Sequence, residues 1–326
     1  MFIYGAMTVY TLAFITFAVS LAASRGQASK PVQVAAKVPA AVGVGASSAL
    51  DSADAMAGPS AATPGKKALE PLPPGRRSGN IAMSLTWLAT ALLLGGVVLR
   101  GLSAGRVPWG NMYEFSITAA LAVSIVFLGL SLRRDVRWLG VFVTGVVLLT
   151  LGLAVTVLYT ESAQLVPALK SWWLVIHVSA AIISAGGFTM SFLVSAAYLW
   201  RSRAEQRAGK GEPTGWLASR LPNATSLDRL AYQVVAFTFP LWTFAVIAGA
   251  IWAENAWGRY WGWDPKETWA FITWVVYAGY LHARATAGWK GRRAAWIAVA
   301  AYATFLFNYF GVNMFMTGLH SYAGVS

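Results

Sequence analysis

Eight apolar stretches, each about long enough to cross a bilayer as a helix, constrain this chain more than any other feature. They run near 4–23, 81–99, 113–132, 138–160, 174–200, 231–253, 269–283 and 294–312, and a helix needs about twenty apolar residues to traverse roughly 30 Å of hydrocarbon. The expected class is therefore an all-α integral membrane protein with about eight transmembrane helices. Composition agrees: 57% of the 326 residues are hydrophobic and 11% are charged, a balance that no soluble core of this length needs. The first stretch ends near Ala22-Ala23-Ser24 as a signal peptide might, but no basic residue precedes it, so 1–23 is read as an uncleaved anchor. Residues 24–80, rich in Ala, Pro, Gly and Ser, form a flexible linker without a periodic apolar face, and 81–326 form a seven-helix core.

The net charge of +13 follows from topology. Alternate connections, 24–80, 133–137, 201–230 and 284–293, hold twenty of the Lys and Arg residues. The opposite side has Arg100, Arg106, Lys170, Arg259 and Lys266. Positive residues stay cytoplasmic, so both termini and the connection between the sixth and seventh helices are expected outside. No continuous basic patch exists for nucleic acid. Cysteine is absent, so any thiol chemistry belongs to a partner.

That sixth-to-seventh connection, 254–269, holds Trp257, Trp261, Trp263 and Trp269 around Gly258 and Gly262. An interfacial aromatic belt is the plain reading, and it serves for Trp109 and Trp138. Four tryptophans in thirteen residues with interleaved glycines fit better with a platform for a flat apolar ligand. Asp264, Pro265 and Glu267 have the grammar of a helix start, an Asp-type capping box with proline at the first position. Asp264 and Glu267 are thus divided evenly between capping the helix and serving the ligand. Asn223-Ala224-Thr225 fits a glycosylation acceptor pattern but lies on the cytoplasmic side.

The string Trp257-Gly258-Arg259-Tyr260-Trp261-Gly262-Trp263-Asp264-Pro265-Lys266-Glu267-Thr268 resembles the WWD pattern of haem-handling proteins at every specified position. It is shared by CcsA (ResC) proteins of System II cytochrome c biogenesis and by System I haem proteins. Three histidines occur in the chain. His177 lies one turn inside the outer end of the fifth helix, and His320 follows the eighth helix on the same side. Two imidazoles beside an aromatic platform can supply both axial positions of a haem iron, although a lone membrane histidine often serves packing or proton relay. His282, fourteen residues after Thr268, lies about 21 Å away along the helix and by itself reads as a snorkelling side chain beside Arg284.

The chain also resembles CcsA proteins in Pro108-Trp109-Gly110-Asn111-Met112-Tyr113-Glu114-Phe115 and in Gly318-Leu319-His320-Ser321-Tyr322, a likeness that runs from about 100 to 326. The resemblance implies haem b as substrate and ligand, with His177 and His320 at an external site and His282 at a transmembrane site. It further implies a CcsB/ResB-type subunit supplying a fourth histidine, apocytochrome c with its C-x-x-C-H thiols, thiol-reducing partner proteins, and residence in the bacterial cytoplasmic membrane as part of a cytochrome c synthase. No catalytic residue beyond haem presentation is assigned. A System I haem protein and a transporter of a non-haem apolar solute remain the alternatives.

Overall fold

A computed structural model describes residues 1–24, 74–161 and 170–320. Most of the expected linker (25–73) and the Ser321-Tyr322 end of the C-terminal motif lie outside the described residues. All regular structure among the described residues is helical: α1 (Phe2–Ala23), α2 (Arg76–Ala104), α3 (Met112–Ser131), α4 (Gly140–Thr156), α5 (Trp172–Ala208), α6 (Ala224–Trp257), α7 (Pro265–Ala285) and α8 (Arg292–Leu306). A π-helical turn (Phe307–Gly311) carries α8 into a last short helix, α9 (Val312–Phe315).

The expected stretches all become helices; several begin earlier than expected, while α4 (Gly140–Thr156) is shorter than the expected 138–160. α2 starts at Arg76, inside the expected linker, and α6 starts at Ala224, seven residues early. Asn223 explains the second shift, because its side chain accepts the Ser226 N–H and caps the helix ahead of the apolar run. Among the described residues seven helices are long and apolar enough to cross a membrane, and α7 is not one of them. Its 21 residues are sufficient in length, but Lys266, Glu267, His282 and Arg284 load its ends and Trp, Tyr and Thr residues occupy its middle.

Helices α1–α4 pack into one group and α5–α8 into another, with α3 lying along α5 at the seam. Small residues allow the close approaches, as expected where lipid gives helices no hydrophobic reason to associate. A Cβ on Gly187 of α5 would collide with the side chain of Thr238 on α6, so the bare backbone of α5 receives that side chain there. Tyr10 ties α1 into its group: its hydroxyl donates to Ser124 on α3 at 2.7 Å and lies 3.0 Å from Thr90 Oγ1 on α2. The two groups meet around Trp252, only 2% exposed, which with Leu174, Val178, Ile182 and Ala122 forms a small separate core.

Candidate ligand site at the tryptophan loop

That core is one wall of a cavity bounded by the start of α5, the end of α6, the start of α7 and the α8–α9 segment, with about 1240 Å³ of space including its open mouth. His177 and His320 both line it. His177 packs directly over Gly249 of α6, where a Cβ would fall 2.7 Å from its Cε1. Its Nδ1 lies 2.7 Å from the Ala245 carbonyl oxygen. A carbonyl can only accept, so Nδ1 carries the proton and Nε2 the lone pair. The ring lies within 6° of parallel to Trp252, with centroids 6.2 Å apart.

His320 meets the other aromatic edges, 5.8 Å from Trp252 and 5.1 Å from Trp257. Its Nδ1 is 2.8 Å from Asp264 Oδ1, and Asp264 Oδ2 also accepts the Leu319 N–H at 2.7 Å. Burial pushes the Asp264 carboxyl up, but the bonds from His320 and the backbone outweigh it and bring it down to about 2. The carboxylate is therefore ionised and accepts from Nδ1, so that Nε2 is the ring nitrogen left to carry a lone pair whenever the ring is neutral. A ring nitrogen oriented by a carbonyl or carboxylate is the arrangement that metal-ligating histidines adopt.

The capping box forms as the sequence indicates. Asp264 accepts the Lys266 N–H at 3.1 Å, and Glu267 Oε2 accepts the Asp264 N–H at 3.1 Å with Pro265 at the first position. Asp264 thus has two structural duties, since it caps α7 and holds the His320 segment. Glu267 lines the cavity and also binds Gly262 N–H at 2.8 Å and Arg259 at 3.3 Å. The interleaved glycines serve the chain itself. Gly258 ends α6 at φ +69, and a Cβ on Gly262 would collide with the Arg259 guanidinium.

The tryptophans divide. Trp257 and Trp261 line the cavity, whereas Trp269 packs on Phe307 with centroids 4.1 Å apart and Trp263 is 66% exposed. Trp263 also holds φ 58, a left-handed conformation that bulky side chains rarely adopt. His282 is exposed near the far end of α7, away from the cavity, and neighbouring Arg284 is committed to Asp228 through two bonds of 2.7 and 3.0 Å.

Other cavity residues were not singled out from sequence. Trp242, Trp252, Lys266 and Asn308 line it, and Trp109, read there as part of a belt, is in its wall. The turn just after Trp109 is fastened by Glu114, fully buried, which accepts from Arg100 at 2.9 Å, Arg106 at 2.7 Å and Gly110 N–H at 2.8 Å. An acidic residue opening an apolar stretch behind two arginines was the available signal. Trp242 Nε1 and Asn308 Oδ1 are buried without a hydrogen-bond partner among the described residues.

Residues 109–320, from Trp109 in the cavity wall to His320, match the cytochrome c assembly protein family. The chain is 38% identical over 295 residues to the cytochrome c biogenesis protein CcsA of Microcystis aeruginosa, an alignment covering 77% of this chain and 88% of that protein. It is 34% identical over 291 residues to the protein of that name from Synechocystis (74% and 86% covered), and 36% identical over 254 residues to the one from Guillardia theta (73% and 83% covered).

Proposed function

The chain belongs to the CcsA family of cytochrome c assembly proteins, and on that premise we propose that it carries haem b through the membrane and presents it for attachment to apocytochrome c. The observation that supports this most is the pairing of His177 and His320 in one aromatic-walled cavity, each with Nδ1 engaged by an acceptor. His177 and His320 take the two axial positions of the iron, and Trp252, Trp257 and Trp261 supply the flat apolar walls. Haem brings the vinyl groups, and the C-x-x-C-H segment of apocytochrome c brings the thiols that this cysteine-free chain lacks. The chain's own contribution is orientation and axial ligation, by which a difficult encounter becomes an intramolecular one. A thiol-reducing partner keeps the acceptor cysteines available.

His282 forms the second site. It sits about 21 Å along α7 from Thr268 and is exposed, which suits a ligand shared with a histidine of a CcsB/ResB-type subunit. The twenty-to-five split of Lys and Arg supports an orientation with the tryptophan loop and both termini on the outer face of the bacterial cytoplasmic membrane and His282 toward the cytoplasm.

An absorption spectrum of the purified protein tests the central claim. A haem Soret band with bis-histidine character is expected, and a haem-free protein that takes up none on titration would favour a carrier of another apolar solute. Reporter fusions after Thr268 and after His320 should read outside, and fusions near Arg207 or Lys290 inside. An inside reading for 254–268 would overturn the external site.

A further inference from the structure

Lys266 is a lining cation of the cavity whose charge no carboxylate balances at short range. Its Nζ donates to the Asn308 carbonyl oxygen at 2.9 Å and stands 5.9 Å from the centre of the Tyr309 ring, and no carboxylate comes within 4 Å of it among the described residues. The nearby acidic groups have other commitments. Glu267 takes Arg259 and two backbone N–H groups, and Asp264 takes His320, Leu319 and the helix cap. Arg259, the other cation of the loop, is matched by Glu267. Asp264 acts on Lys266 only through space, and an ammonium recessed into an apolar cavity without a contact ion pair is costly unless a ligand supplies the anion. Asn308 takes one of its three hydrogens, and the others remain for a ligand.

A second donor belongs to the same wall. Trp242 Nε1 is buried with no acceptor among the described residues, and Trp242 lines the cavity with its ring centroid 5.7 Å from that of Phe305, one turn before Asn308. The cavity thus brings together two kinds of group: the imidazoles of His177 and His320, and the Lys266 ammonium beside the indole of Trp242.

Resting on the haem reading above, we propose that Lys266 receives a propionate carboxylate of the bound haem and so fixes which edge of the macrocycle faces α7 and α8. The two propionates share one side of the porphyrin and the vinyl groups lie away from them. Anchoring a carboxylate at Lys266 therefore turns the vinyl edge away from the α7–α8 wall. Lys266 is a specificity-determining residue, selecting a planar ligand that carries an acid group and setting its rotation about the iron axis.

Titration of the haem-depleted, purified full-length protein with haemin and with haemin dimethyl ester, followed by the Soret band, tests this. The titrations are run in the His282→Ala background so that the cavity alone is read. Haemin is expected to bind roughly tenfold to a hundredfold more tightly than the ester, the scale of one hydrogen bond to a charged group. Lys266→Gln should bind both ligands alike, at the level of the ester, and Lys266→Arg should keep the preference. Equal binding of haemin and ester by the protein with Lys266 intact would overturn the proposal while leaving the haem site standing, and it needs no substitution at Lys266. Failure of both ligands to give a Soret band would overturn the haem reading and the proposal with it.

Discussion

At its start α7 is locked into the rest of the molecule, whereas near its end it turns His282 outward. Asp264, Lys266 and Glu267 bond to the His320 segment, to α8's extension and to the loop that precedes them. At the other end Arg284 and Asp228 fasten α7 to α6, yet His282 itself is exposed and lines no part of the cavity. A histidine oriented by an acceptor and walled by tryptophan is prepared for a ligand within one chain. An exposed histidine on a helix face needs a second chain to complete a site, which is how the two ends differ in what they demand of a partner.

The largest expected effect lies at the prepared end. His177→Ala or His320→Ala should each cut cytochrome c maturation by more than tenfold, since losing even a group that orients a ligating histidine typically costs 10- to 100-fold. Added imidazole should restore part of it by filling the vacated axial position. Full maturation in both single variants would break the comparison, because the prepared end would then not be the site of ligation. Haem content of the complex should respond next: His282→Ala should lower it several-fold when a CcsB/ResB subunit is co-expressed, and the unsubstituted chain expressed alone should already be poor in haem. Pyridine haemochrome at equal protein reads this. Normal haem and normal maturation in His282→Ala would leave that residue a snorkelling side chain.

A smaller difference sharpens the description of the loop itself. Trp261 lines the cavity and stands edge-on to Trp263 at 5.8 Å, while Trp263 is mostly exposed. An aromatic contact contributes about 0.5–1.5 kcal/mol beyond its area, so Trp261→Ala should shorten haem retention by roughly twofold to tenfold and Trp263→Ala by less. Trp263→Gly should raise thermal stability, because φ 58 is strained for tryptophan and free for glycine. Equal losses of haem in the two alanine variants would mean that Trp263 folds onto the ligand when it is bound.

The fold was legible because spanning helices announce themselves by length and hydropathy, and the capping box because its signals are local. Asp264, Pro265 and Glu267 carry their geometry within four residues, as the bonds at the start of α7 bear out, whereas the equally local Asn223 cap of α6 was passed over because the apolar run begins only later. Cavity membership was less legible. Trp252 and Trp242 sit in an apolar helix where nothing local distinguishes a residue facing lipid from one facing a cavity. The same blindness applies in reverse to Trp263, whose place in a dense tryptophan motif gave no hint that it faces outward. Lys266 counted in sequence only as an outer-side charge, and its significance depends on which carboxylates are already taken, a fact that resides in tertiary structure alone.

The smallest effect concerns Asp264, where capping and histidine orientation coincide in one carboxylate. Asp264→Asn separates them, because asparagine caps a helix about as well as aspartate but brings no charge to His320. The carboxyl titrates at about 2 in the folded protein against 3.8 ordinarily, a depressed value. Its contribution is therefore fully present above about pH 4 and is lost as pH falls toward 2. Melting of the two proteins in detergent should show the aspartate form ahead at pH 6 by at most about 1 kcal/mol, the usual scale for a pair that solvent partly screens. At pH 2.5 the gap should narrow, and Asp264→Ala, which loses the cap as well, should remain about 1 kcal/mol below Asp264→Asn at both values. A gap between aspartate and asparagine that stayed constant from pH 6 to 2.5 would mean that charge plays no part, leaving Asp264 to hold His320 as a hydrogen-bond acceptor only. The start of α7 would then still be joined to its neighbours, but by geometry alone.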